Sequence, residues 1–248
     1  MENPPQAEDA AAIAAEAMAP IGFGEGPTVG IVGDSRCGKT EAARRLIAEY
    51  MRRSPGPVLI ADDKEATPQF EGQCRRDKDD VEKNPPDANG SRVIILRGDR
   101  FDVGEGEVDP EEIAEMQREL AYKFHTPSLG VYDELDRACE GGQFKRNPST
   151  IRWSFKQGKS SGVASLWGTQ ETQDIPAPIF NQSSMILCFR MQGAPLRLLK
   201  ERGYLEPRNS VELVIPTLPG AELPPDKRGH FVALRRGQTW DGKIWRFK

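Results

Sequence analysis

The sequence predicts an α/β fold: a mostly parallel sheet flanked by helices, with short C-terminal strands extending it. Two observations carry this expectation. Short apolar, β-branched runs alternate with segments of helical spacing, which calls for right-handed crossovers between parallel strands. The last forty residues hold strand-like runs with no helix between them, which suits an edge added to the same sheet.

Residues 1–25 come first as an acidic, Ala-rich arm, with Glu2, Glu8, Asp9, Glu16 and Glu25 and no Lys or Arg. A secretory leader needs positive charge near its start, so this segment does not read as one. Ala10 to Met18 has helix propensity, yet its mostly small side chains bury little alone, so a flexible or partner-dependent arm is expected. Residues 26–248 then read as a single domain with one well-filled core.

Within that domain Thr28 to Val32 is a buried strand, and residues 39–53 follow as a helix with Ala42, Leu46, Ile47 and Tyr50 on one face. Arg52 and Arg53 complement its C-terminal dipole, and Ser54-Pro55-Gly56-Pro57 stops it. Val58 to Ala61 is a second strand, residues 71–91 a polar exposed excursion, and Val93 to Leu96 a third strand. Asp109 as N-cap, Pro110 behind it and Glu112 three after the cap open a helix. Its expected buried stripe is Ile113, Met116, Leu120 and Phe124. Leu129 to Tyr132, Val163 to Gly168 and Met185 to Arg190 supply three more strands. Val211–Ile215, His230–Leu234 and Lys243–Phe247 are the short C-terminal ones.

Composition excludes several classes. No window approaches eighteen uninterrupted apolar residues, so no membrane-spanning helix is expected. Cys37, Cys74, Cys139 and Cys188 are scattered without a C-x-x-C, and His125 and His230 are the only histidines. That spacing excludes a structural zinc site of the usual kind and argues against a disulfide framework.

The chemistry concentrates in two places. Gly33-Asp34-Ser35-Arg36-Cys37-Gly38-Lys39-Thr40 fits G-x-x-x-x-G-K-[ST] and sits between a buried strand and an amphipathic helix. Backbone N–H groups of such a loop wrap phosphates, and the helix N-terminus adds positive dipole. Lys39 would reach the β- and γ-phosphates of ATP and Thr40 would hold Mg²⁺, with Glu41 completing the binding stretch. Cys37, close to a helix N-terminus, is a candidate for a lowered pKa, although a tolerant packing position is the simpler reading.

Leu129 to Tyr132 delivers the second feature, the adjacent carboxylates Asp133 and Glu134, at a strand end facing the loop. Asp133 suits the Mg²⁺ shell and Glu134 the attacking water. The pair favours a hydrolase over a kinase, because water needs a base whereas a transferred phosphoryl group needs an acceptor site. Gln170, ending the fifth strand, would lie near the γ-phosphate if that strand neighbours the first. Asp62 and Asp63 form a secondary acidic pair.

Taken in order, the 33–40 loop, VLIADDK at 58–64, LGVYDE at 129–134, GKSSGVASLWGTQ at 158–170 leading to Ile175-Pro176, and Asn181 through Arg190 resemble the FtsK/HerA family of DNA-translocating ATPases. The resemblance covers roughly residues 27–200 and implies a RecA-like P-loop NTPase core. It also implies a homo-oligomeric ring, usually a hexamer, with ATP and Mg²⁺ driving double-stranded DNA through its centre without regard to base sequence. With no added module visible, the chain looks most like the small genome-packaging ATPases of membrane-containing icosahedral viruses. That implies capsid or vertex proteins as docking partners, no direct membrane insertion, and work in the host cytoplasm or on the virion. P-loop ATPases of conjugation or secretion, and less so P-loop kinases, are the alternatives. Where the family often carries an Arg that reaches a neighbour's ATP, this chain has Lys159, a point charge without the bidentate fork. Arg152 and Arg190 are the other candidates for that trans finger.

Residues 141–160 hold Lys145, Arg146, Arg152, Lys156 and Lys159 and no acid. The stretch reads either as contact with phosphate backbones or as a solvated basic loop. Phe144, Trp153 and Phe155 within it read as packing. The net charge of −4 does not exclude DNA: removing the five acids of residues 1–25 leaves +1 for residues 26–248. Residues 101–120 concentrate eight more acids against Arg118, which leaves the basic charge local.

Overall fold

The computed structural model describes residues 8–20, 25–61, 70, 72–75, 92–96, 109–146, 149–191, 194–202, 204, 229–236, 238 and 243–247. In chain order their strands and helices are β1 (Glu8–Asp9), α1 (Ala11–Ala17), β2 (Thr28–Val32), α2 (Lys39–Arg53), β3 (Val58–Ala61), β4 (Gln73–Arg75) and β5 (Val93–Leu96). Next come α3 (Pro110–Lys123), β6 (Ser128–Tyr132), the hairpin strands β7 (Cys139–Glu140) and β8 (Gln143–Phe144), α4 (Thr150–Lys156) and β9 (Val163–Thr169). The chain closes with α5 (Ala177–Gln182), β10 (Met185–Cys188), α6 (Ala194–Glu201), β11 (His230–Arg235) and β12 (Trp245–Arg246).

Ten of these strands join in one sheet, in the order β1-β12-β11-β10-β2-β9-β6-β3-β5-β4. From β10 to β4 every pairing is parallel, and β11 and β12 add antiparallel strands at one side. The expected mostly parallel sheet with C-terminal extensions is therefore present. Expected Val211–Ile215 and the acids Asp62 and Asp63 fall outside the described residues. So does most of the 71–91 excursion, although Gln73–Arg75 within it pairs with β5 as an edge strand.

Strand alternation sorts the side chains into two cores. Val29, Ile31, Val58, Ile60, Leu129, Val131 and Leu166 point to the face covered by α1 and α2, where Leu46, Ile47 and Tyr50 meet them. Val32, Leu59, Tyr132, Trp167, Ile186 and Cys188 point to the other face, under α3, α4 and α5. Both faces of the parallel body are covered, so its strands read as continuous apolar runs.

The N-terminal segment corrects its expectation. Ala10, Ile13, Ala14, Ala17 and Met18 are all buried in the first core, and α1 packs on α2. β1 pairs with β12, with Glu8 donating its N–H to the Ile244 carbonyl and Ala10 to that of Arg246. Arg235 grips Glu16 with two bonds of 2.5 and 2.6 Å, which holds that carboxyl below its usual range. Small alanines let two helices approach closely, so a segment with little apolar area of its own gains burial from its neighbour. Residues 8–18 are part of the body, not an arm.

Helix α3 begins as read: Asp109 Oδ1 accepts the Glu111 N–H at 2.9 Å and Pro110 fills the first position. Its stripe departs at the end. Ile113 and Met116 are buried, but the helix stops at Lys123 and leaves Phe124 66% exposed. In the stripe sits Gln117, fully buried, donating to the Ala164 carbonyl at 2.9 Å and accepting from Tyr132 Oη at 2.7 Å. This one side chain ties α3 to β6 and β9. It fits only because β6 has Gly130 beneath it, where a Cβ would lie 2.5 Å from Gln117 Oε1.

Replacing Gly130 with Ala should therefore displace Gln117 and strand buried polar atoms. The expected loss is about 1–3 kcal/mol, seen as a lower urea midpoint at unchanged slope. An unshifted midpoint would show that Gln117 relaxes freely.

Candidate active site

The site stands on the C-terminal ends of β2, β9 and β6, three neighbours in the sheet. Strand β9 lies between the strand feeding the loop and the strand feeding the carboxylates. Residues 33–38 make the turn from β2 into α2. Gly33 donates its N–H to the Thr169 carbonyl and Asp34 to that of Arg190, which anchors the start of the loop to both flanking strands. At its end Gly38 has φ 109°, in the left-handed region that favours glycine. The carbonyl of the preceding Cys37 accepts the Gly229 N–H at 2.9 Å, so the segment entering β11 buttresses the turn.

No side chain caps the first turn of α2, and the Gly38 carbonyl accepts its bond from Ala42. Lys39 Nζ curls back to donate to the carbonyls of Gly33 at 2.7 Å and Asp34 at 2.8 Å. An uncapped helix start, a left-handed glycine and an ammonium held over the turn fit a phosphate chain. Asp34 is unusual in such company. Burial raises its pKa, while Arg190, with Nε 3.5 Å from Oδ2, and Lys39 work in the opposite direction. Ser35 and Arg36 are exposed, Arg36 at φ 57°, and Glu41 is exposed and paired to Arg45 at 2.9 Å.

Across the cleft Asp133 and Glu134 end β6, with Asp133 Oδ1 lying against Gly168 of β9. Asp133 and Thr40, the two residues expected at a divalent cation, are both partly buried. Glu134 sits at φ 55°, a left-handed position rare for a side-chain-bearing residue, from which the chain drops into a 3₁₀ turn, Leu135–Ala138. Gln170 bridges the two halves. Its Oε1 accepts from Ser35 Oγ at 2.5 Å, and its Nε2 donates to Glu134 Oε1 at 3.3 Å. The loop, the amide and the carboxylate thus form one hydrogen-bonded chain across three strands.

Three features escaped the sequence reading. Arg137 Nη2 lies 2.7 Å from Glu134 Oε2. Thr169 Oγ1 donates to Asp136 Oδ1 at 2.6 Å and accepts the Glu171 N–H, while burial raises the Asp136 pKa. Glu111, buried, accepts the N–H groups of Thr150 at 2.6 Å and Ile151 at 3.1 Å, capping α4 from another helix. Only Arg137 left a local signal, as a cation three residues after a functional carboxylate.

The trans-finger candidates separate. Arg190 is mostly covered and pairs with Asp34 of its own loop. Lys159 precedes β9 whereas Gln170 follows it, which puts the two about 20 Å apart along the strand. Lys159 Nζ donates to the Gln182 carbonyl, and burial lowers its pKa against the pull of Glu25. It is out of reach of its own loop. Arg152 is exposed on α4, as are Lys145, Arg146 and Lys156, whereas Phe155 is buried and Trp153 Nε1 donates to Tyr122 Oη at 3.1 Å. The aromatic residues of the basic stretch do pack.

Cys37 is not activated. Its Sγ donates to the Asp34 carbonyl, and burial pushes the thiol up to about 11. At pH 8 only about one molecule in a thousand would carry the thiolate. Iodoacetamide at pH 8 should therefore leave Cys37 unmodified in folded protein and alkylate it in urea, as peptide mass spectrometry would report. Prompt labelling of the native chain would mean the loop is open.

The sequence matches no family model and no curated protein. Solved structures do match. The genome packaging NTPase B204 of Sulfolobus turreted icosahedral virus 2, in complex with sulfate, superposes at TM-score 0.62 and 17% identity, over 90% of this chain and 98% of that one. The same protein with ATP-gammaS gives 0.60 and 16%, over 90% and 97%. B204 of Sulfolobus turreted icosahedral virus, described as the DNA-packaging ATPase, gives 0.57 and 13%, over 91% and 98%. At these identities the agreement is one of fold: this chain shares with these packaging ATPases a mostly parallel sheet flanked by helices.

Proposed function

We propose that the chain is an ATP-hydrolysing motor that works as a homo-oligomeric ring, six-membered, and moves double-stranded DNA to package a viral genome into a preformed capsid. One observation carries the ATPase reading: the chain Ser35–Gln170–Glu134 across β2, β9 and β6. It connects a phosphate-binding turn to a carboxylate that can serve water, and a kinase has no use for it. The DNA reading draws support from the exposed cations Lys145, Arg146, Arg152 and Lys156, and from the fold shared with proteins named for genome packaging.

ATP with Mg²⁺ supplies the transferable phosphoryl group and the positive charge that offsets its departure. Lys39 exchanges the carbonyls of Gly33 and Asp34 for phosphate oxygens. Thr40 and Asp133 would hold the metal. Glu134 accepts a proton from the attacking water, and Gln170, touching both loop and base, registers whether the γ-position is filled. Lys159, which does not reach its own loop, or the exposed Arg152 completes a neighbour's site. Capsid or vertex proteins would be its docking partners; no helix among the described residues is long and apolar enough to cross a membrane.

The deciding measurement is ATP turnover with and without long duplex DNA, across salt. Duplex should raise turnover, less so as salt screens the phosphates. Lys39→Ala should abolish turnover. Glu134→Gln should keep nucleotide binding and lose about 10²–10⁴-fold in rate. A wild-type rate in Glu134→Gln would remove it as the base. An assembled ring indifferent to DNA at every salt would sink the translocase reading.

A further inference from the structure

Beside Glu134 lies a second basin, about 310 Å³, which the nucleotide chemistry leaves unused. Asp109, Glu111, Arg137, Ala138, Lys145 and Arg146 line it. Its position follows from two local constraints. The 3₁₀ turn after Glu134 carries Arg137, three residues on, back to the Glu134 carboxylate. The β7–β8 hairpin then brings the chain straight back, with Lys145 donating its N–H to the Ala138 carbonyl at 3.0 Å. Three cations from residues 137–146 thereby gather at one opening.

The acids there are already engaged. Glu111 spends its carboxylate on the first N–H groups of α4. Asp109 caps α3 through Oδ1 and meets Arg146 through Oδ2 at 2.5 Å. Lys145 and Arg146 are exposed, and Arg137 belongs to two places at once. It lines the basin while its guanidinium holds Glu134 Oε2 at 2.7 Å. The guanidinium takes one lone pair of that oxygen and fixes the orientation of the carboxylate, so it competes with a water molecule for the same oxygen. The tie is half-exposed and therefore weak, with 41% of the Arg137 side chain accessible.

We propose that this basin takes a phosphodiester group of the duplex backbone, and that Arg137 is the positioning residue that reports its arrival to Glu134. With the basin empty, Arg137 pairs with Glu134. A backbone phosphate seated against Lys145 and Arg146 offers the guanidinium a bidentate anion. Arg137 turns to it, and Glu134 Oε2 is released toward the cleft. DNA contact and hydrolysis are then linked through one side chain, and no base is read. The inference rests on the translocase reading and names the contact through which duplex acts.

The test compares purified, assembled wild type with Arg137→Ala, Arg137→Lys and the double variant Lys145→Ala/Arg146→Ala. Each is assayed for ATP turnover with and without long duplex, and for duplex binding by fluorescence anisotropy across salt. Arg137→Ala should raise DNA-free turnover about two- to fivefold and bring the ratio of DNA-stimulated to DNA-free rate close to one. Arg137→Lys, which keeps the charge, should restore most of the wild-type response, a rescue that also shows the position tolerates change. The double variant should bind duplex with a log–log salt slope shallower by about 1–2 and need more DNA for the same stimulation. Arg137→Ala matching wild type in both rates would overturn the proposal, as would an unchanged salt slope in the double variant. So would inorganic phosphate raising wild-type turnover as duplex does, since the basin would then take the free anion. A wild type unmoved by DNA ends the translocase reading and this inference together. A stimulated wild type whose variants behave identically ends this inference alone.

Discussion

Strand β9 sets the geometry on which the rest of the site depends. Because it runs between β2 and β6, loop and carboxylates are held one strand apart, leaving a cleft instead of a direct contact. A residue leaving the end of β9 necessarily stands between the two sides. Gln170 is that residue. The spacing is fixed by ladder hydrogen bonds and by Trp167, fully buried, whose Nε1 donates to Ser183 Oγ at 2.9 Å. The precision of the site is thus borrowed from the sheet, not from the loops that carry the chemistry.

Much of this was legible in the residues, for a physical reason. The phosphate turn and the paired acids are local: each needs only a strand, a few residues and, for the loop, a following helix. The boundaries of α2, Lys39–Arg53, agree with the reading because Gly38 and Ser54-Pro55 are backbone signals that act without tertiary help. Strand β9 next to β2 was a condition attached to the role of Gln170, and the sheet order meets it.

What was not legible is tertiary. Gln117 lies four residues after Ile113 on the buried face of α3, yet its partners, Tyr132 and the Ala164 carbonyl, belong to strands whose pairing no single segment states. Glu111 stands in the first turn of its own helix, yet it caps another. Phe124 was assigned to the stripe because periodicity cannot see where a helix stops. The alanines of α1 were undervalued because area per side chain measures what a residue brings, whereas burial depends on how close its neighbour can come. Arg137 stands between these cases: the spacing was visible, but only the 3₁₀ turn makes it a contact.

The pairing of β1 with β12 has a consequence for how the molecule forms. It joins residues 8–9 to residues 245–246, close to the widest separation the sequence allows. Contacts of such range are entropically costly to close and are made late. During synthesis β1 and α1 emerge more than two hundred residues before the β12 with which β1 pairs. The parallel body can assemble before that point, while the side that carries β11, β12 and α1 waits. Completing that side also brings in Gly229, which braces the phosphate turn through Cys37. A chain broken before residue 229 would then lack the brace on its phosphate turn as well as β11 and β12.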